Sequence, residues 1–190
     1  MKEKYIYLIC LSVFPFMICS GIVYSILSLY IEGLGASRSQ IGMVYTFGAT
    51  SGAITAPFLG RLSDRLGRKT VLIGSMCLFS LVFLGYALCN HYRQLFIVQM
   101  GEGMAWAAIG ASATAFIADL VPEERRGWAL GMYNTAWNLG WIIGPTLGGV
   151  LAEITGFKIT FLICVFIMAV GVTLGILLLP KKASSPKKVK

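Results

Sequence analysis

The chain predicts an all-α membrane protein built from six transmembrane helices. It has 190 residues, of which 57% are hydrophobic and 13% charged, whereas soluble domains run at about half apolar and a quarter charged. Its mean hydropathy is +0.78. The apolar residues gather into six runs, 5–31, 41–59, 71–89, 95–118, 128–151 and 159–179, each near or above the ~20 residues a helix needs to cross hydrocarbon. The cations are equally ordered. Thirteen of the 16 Lys and Arg fall before the first run, in the two connections that share its side, or in the tail; only Arg38, Arg93 and Lys158 fall opposite. Basic connections stay in the cytoplasm, so both termini are expected there, with residues 1–180 forming one bundle in the cell membrane.

The first run contains Pro15 and is expected to kink or break near it. It is too long for a secretory signal and shows no small-x-small cleavage site. Residues 32–40 form a polar Gly/Ser connection to the second run. Residues 60–69 are then a charged island of four cations and one carboxylate. An island this short joins two helix ends on one membrane face. Gly60 and Gly67 suit a tight reversal because glycine tolerates positive φ, and Asp64 and Arg68 would share a face on even one helical turn.

A short turn at Asn90-His91-Tyr92-Arg93 leads into the fourth run. The charged connection 119–127 leads into the fifth, and 152–158 into the sixth. Pro180 opens a basic tail, 181–190, which reads as an inside anchor leading to a linker, with binding to anionic headgroups as the alternative. The second, fourth and fifth runs carry small residues at every fourth position: Gly48, Gly52, Ala56 and Gly60; Gly103, Ala107, Ala111 and Ala115; Ala136, Gly140, Gly144, Gly148 and Ala152. Such stripes let helix backbones approach closely where lipid offers no hydrophobic drive.

Several classes fall away. The cations sit at span ends and form no single patch, so no nucleic-acid partner is expected. The five cysteines lie within or at the edge of apolar runs, without a Cys-x-x-Cys pair, and His91 is the sole histidine. Neither a disulfide framework nor a metal site is expected. No nucleophile–base pair appears, so the chain is not expected to be an enzyme.

The island reads Gly60-x-Leu62-x-Asp64-Arg65-x-Gly67-Arg68-Lys69. In residues, order and place between the second and third spans, it resembles the loop signature of the major facilitator superfamily of secondary transporters. The connection Asp119-x-x-Pro122-Glu123-Glu124-Arg125-Arg126-Gly127 is similar to that family's loop between the fourth and fifth helices. Gly140-x-x-x-Gly144-Pro145-x-x-Gly148-Gly149 resembles the fifth-helix motif of its drug:proton antiporter branches. One departure stands out: where the family's fourth helix carries Arg-x-x-Gln-Gly, this chain has Gln99-Met100-Gly101-Glu102-Gly103.

The resemblance implies half of the family fold, the N-terminal six helices as two inverted three-helix repeats, with substrate held near the midplane between halves. It implies proton-coupled efflux of small amphipathic organic compounds by alternating access, driven by the proton gradient with no cofactor. Its partners would be the lipid bilayer, a small-molecule substrate and a second six-helix half, supplied by a homodimer or a separate chain. It also implies that Arg68 pairs with Asp119 while Asp64 faces the other half. Two alternatives stand beside this reading: an uptake facilitator for a sugar or organic anion, and a truncated membrane subunit that does not transport.

Gln99, Trp106, Tyr133, Asn134, Trp137 and Asn138 are candidates for an aromatic, weakly polar cavity lining; packing or interfacial anchoring is the alternative for the tryptophans. Glu102 is the acidic side chain well inside a span. Such groups are costly and face the bundle or a wet cavity. It is a candidate for proton coupling, or else a permanently protonated bridge between helices.

Overall fold

The computed structural model describes residues 4–180, so the expected tail role of residues 181–190 lies outside the described residues. Six long helices follow one another: α1 Lys4–Gly33, α2 Arg38–Leu66, α3 Arg68–Leu88, α4 Leu95–Leu120, α5 Arg126–Thr155 and α6 Phe157–Leu178. No strand occurs among the described residues. Four stretches are long and apolar enough to cross a membrane: Lys4–Gly33, Arg68–Leu88, Tyr92–Leu120 and Phe157–Leu178.

The helices run past the apolar stretches, and this corrects the reading of residues 60–69 as a loop. Helix α2 continues through Gly60, Arg61 and Asp64 to Leu66, and α3 begins at Arg68. The reversal is made by Gly67 alone, at φ 95°, a conformation in the region glycine adopts without a Cβ clash. Gly60 is an ordinary helical residue with open space where a Cβ would be. Hydropathy marks where apolar side chains end, but backbone bonding carries a helix on into its charged turns. Gly156, at φ 81°, makes the matching one-residue reversal between α5 and α6.

Pro15 does not break α1, which is helical throughout, and Pro145 likewise lies within α5. Ser37 starts α2 through a capping box with Gln40, satisfying two end groups reciprocally.

Helices α1 and α4 each pack along two others. Helix α1 packs on α5 and α6, while α4 packs on α2 and α3, and α3 meets α6. The two tightest crossings use the small-residue stripes. At α2–α4, a Cβ on Gly103 would overlap the Gly48 carbonyl oxygen, and one on Gly52 would stand 2.9 Å from the Gly103 oxygen. At α1–α5, a Cβ on Gly144 would lie 2.7 Å from Gly21 Cα, and one on Gly148 2.6 Å from the Ile22 oxygen. Gly149 points into open space. Between these crossings Phe16 joins Phe79, Trp106 and Trp137, with ring centroids 4.4, 5.3 and 5.9 Å away. Tyr30 on α1 donates to the carbonyls of Tyr86 (2.7 Å) and Cys89 (2.9 Å), closing the end of α3.

Candidate functional site

Two polar centres stand out from the apolar bundle. The first is where α2, α3, α4 and α6 end together. Gly67 turns the chain so that Arg68, the first residue of α3, points back over the last turn of α2. Its Nη1 lies 2.5 Å from Asp64 Oδ1 and 3.4 Å from Ser63 Oγ, and its Nε lies 3.3 Å from Asp119 Oδ2 at the end of α4. Asp64 therefore bonds Arg68 rather than standing apart from it, although its side chain keeps 62% exposure. The neighbouring Lys69 donates to the carbonyls of Ile176 (2.8 Å) and Leu179 (2.5 Å). Those carbonyls are left open at the end of α6, where a cation is favoured. Adjacent residues thus tie α3 to three other helices. Arg65 is exposed.

The second centre lies inside the bundle. Glu102 on α4 is 1% exposed. Tyr86 on α3 donates its hydroxyl to Glu102 Oε2 at 2.5 Å, and Gln99 Nε2 donates to the Tyr86 oxygen at 3.0 Å. Gln99 and Glu102 are three apart and so share a helix face. Tyr24 of α1, with Trp106 and Gln99 of α4, also closes on the same carboxyl. The Trp106 indole N–H is buried without a partner in hydrogen-bonding geometry. The groups named around this carboxyl are thus neutral, and none of them is a cation.

A cavity of about 540 Å³ opens beside this cluster. Tyr24, Tyr45, Gln99 and Trp106 form its aromatic and polar wall, and Gly48, Gly52 and Gly103 line it with backbone. The structure thus brings Gln99, Glu102 and Trp106 together. Tyr133 and Trp137 do not line this cavity: Tyr133 is buried, and Trp137 packs against Phe16 and Trp106. Asn134 and Asn138 are exposed on α5 and are not among the residues lining it. Gly140, Gly144, Pro145 and Gly148 serve the α1–α5 crossing, with Pro145 Cδ 3.1 Å from where a Gly21 Cβ would lie.

Sequence reasoning missed Tyr24, Tyr45 and Tyr86. Each is an aromatic residue within an apolar stretch, where composition does not separate ligand lining from packing. The available signal was that a buried tyrosine hydroxyl usually finds a partner, and Glu102 offered one.

The family model described as Major Facilitator Superfamily matches residues 9–190. An uncharacterized MFS-type transporter of Methanocaldococcus jannaschii is 30% identical over 165 residues, covering 87% of this chain and 43% of that protein. The quinolone resistance protein NorA of Staphylococcus aureus is 29% identical over 153 residues, covering 80% of this chain and 39% of NorA. The chain spans less than half the length of either relative.

Proposed function

The chain belongs to the major facilitator superfamily, and from that premise we propose that it takes part in proton-coupled efflux of small amphipathic organic compounds by alternating access. The membrane-capable helices and the family make it an integral membrane protein of a transport family. The observation that carries the finer reading is the Glu102 carboxyl, buried among neutral groups of which Tyr24, Gln99 and Trp106 line the neighbouring cavity. The likeness to a protein named for quinolone resistance supports efflux and an organic substrate.

In this reading all six helices span the membrane. Helices α2 and α5 are less apolar than the rest, but Thr46, Thr50 and Thr55 on α2 and Thr135 on α5 each bond a carbonyl one turn back, and Ser51 bonds the Met100 carbonyl of α4. That makes such a helix tolerable in hydrocarbon. The repeated pattern of contacts supports two three-helix repeats. Helix α1 meets α5 and α6 as α4 meets α2 and α3, and single glycines turn both α2 into α3 and α5 into α6.

Helices α2 and α5 each bury a narrow stripe: Val44, Gly48 and Ser63 on one, and Ala129, Tyr133, Gly140, Gly144 and Gly148 on the other. The reading assigns part of their open faces to a second six-helix half that closes the cavity, with both termini of this chain on the cytoplasmic face of the cell membrane. The Arg68–Asp119 pair is then a cytoplasmic latch between α3 and α4.

The test is a fluorescent quinolone in membrane vesicles carrying the chain, with and without an imposed proton gradient. Gradient-driven movement that Glu102→Gln abolishes while quinolone binding survives is the expected result. Undiminished gradient-driven movement in that variant removes Glu102 from coupling, and gradient-independent movement overturns the proton reading.

A further inference from the structure

We infer that Gln99 and Tyr86 form a relay through which the position of α2 sets the hydrogen bonding of the Glu102 carboxyl. This deepens, and rests on, the reading of Glu102 as the proton-carrying group. The polarity of the relay follows from valence. Tyr86 has one hydroxyl proton and gives it to Glu102 Oε2, so toward Gln99 its oxygen acts as acceptor. Gln99 must therefore turn its Nε2 to Tyr86, at 3.0 Å, which sends its Oε1 the other way. That oxygen is pressed against α2 at Gly48, where even a Cβ would overlap it.

Gly48 is thus the surface that holds the Gln99 carboxamide in place. No side chain stands between them, so any separation of α2 from α4 at this crossing is felt first by Gln99. With that wall withdrawn, the carboxamide gains room to rotate, Tyr86 loses the donor that polarises its hydroxyl, and the Tyr86 bond to Glu102 weakens. Linkage is reciprocal. A change in the protonation of Glu102 therefore biases the α2–α4 crossing by the same free energy. The titratable groups facing the carboxyl are Tyr86 from α3, Tyr24 from α1 and Tyr45 from α2, all neutral at physiological pH. The relay thus acts without a counter-ion. Gln99 and Tyr86 are positioning residues in this scheme.

The test is infrared difference spectroscopy of the full chain in lipid nanodiscs, stepping between mildly alkaline and mildly acidic pH. Glu102→Gln identifies the bands of Glu102 by their loss. Tyr86→Phe should move the protonated carboxyl stretch to higher wavenumber, and Gln99→Ala should move it less in the same direction. Gly48→Ala should reproduce the Gln99→Ala shift, and the double variant should add nothing further, because both act through one contact. Gly52→Ala pushes α2 from α4 against the Gly103 carbonyl without touching Gln99, so it decides the question if Gly48→Ala does not fold; it should give the same shift. A band unmoved by Tyr86→Phe overturns the relay. Bands moved by Tyr86→Phe but not by either glycine variant overturn its connection to α2. If no protonated band sensitive to Glu102→Gln appears, proton carriage by Glu102 falls; its carboxylate stretch, compared between wild type and these variants, still decides the relay.

Discussion

Arg68 Nε lies 3.3 Å from Asp119 Oδ2, while the same guanidinium holds Asp64 Oδ1 at 2.5 Å. One cation on α3 therefore serves two carboxylates, one from each neighbouring helix. Arg68 is 24% exposed, against 44% for Asp119 and 62% for Asp64. The site lies between a surface pair, worth about 0–1 kcal/mol, and a buried one.

Arg68→Ala is expected to leave both carboxylates facing each other and to destabilise the chain by about 1–2 kcal/mol, after discounting for solvent. The charge swap Arg68→Asp with Asp119→Arg should recover part of that loss, because Asp64 then stands beside a like charge at position 68. Adding Asp64→Asn should recover more. Thermal unfolding in detergent ranks the four proteins. A swap no better than Arg68→Ala, with or without Asp64→Asn, would show that direct pairing contributes nothing.

The glycines separate into two groups. Gly103→Ala and Gly144→Ala set a Cβ against backbone, which has no rotamer to yield, so each should cost about 1–3 kcal/mol or more. Gly60→Ala and Gly149→Ala meet open space and should gain up to about 1 kcal/mol from helix propensity. Denaturant midpoints measure both. Equal losses in the two groups would mean that the crossings are looser than the backbone distances state.

That division was half legible in the sequence. Fourth-position spacing singled out the stripes on α2, α4 and α5, because a helix repeats its faces at that interval. It did not say where each stripe ends. Gly60 fits the pattern, yet a Cβ there would meet open space, since a crossing covers only two or three turns before the axes diverge. The Arg68 end was legible for a similar reason: charges are rare here and confined to span ends. Tyr86 was not, because its role depends on α3 and α4 lying side by side, and no local pattern fixes which helices become neighbours.

Sidedness has a direct measurement. In a cysteine-free background, Ser39→Cys and Arg61→Cys place thiols at exposed positions near opposite ends of α2. A membrane-impermeant maleimide should label position 39 in intact cells and position 61 only after permeabilisation. Ser63 is unsuitable for the purpose because it is fully buried. Labelling of position 61 in intact cells would reverse the topology.

Glu102 is tied to Tyr86 by a bond that stability measurements can isolate. Glu102→Gln keeps a carbonyl oxygen where Oε2 was, so Tyr86 retains an acceptor and the change should stay within about 1 kcal/mol. Glu102→Leu removes the acceptor and leaves the Tyr86 hydroxyl proton buried without its partner, while the oxygen still accepts from Gln99, a loss of about 1–3 kcal/mol. Two effects oppose each other in the leucine variant, because a buried carboxyl is itself costly to desolvate. A second substitution separates them. Tyr86→Phe in the Glu102→Leu background removes the orphaned hydroxyl, and apolar groups replacing both partners are close to neutral. The double variant should therefore be more stable than Glu102→Leu alone. Unfolding followed by tryptophan fluorescence is suited to this comparison, since Trp106 lies against the cluster. If Glu102→Leu proves as stable as the wild type and Tyr86→Phe adds nothing to it, the hydrogen bond makes no net contribution, and Glu102 is held by packing alone.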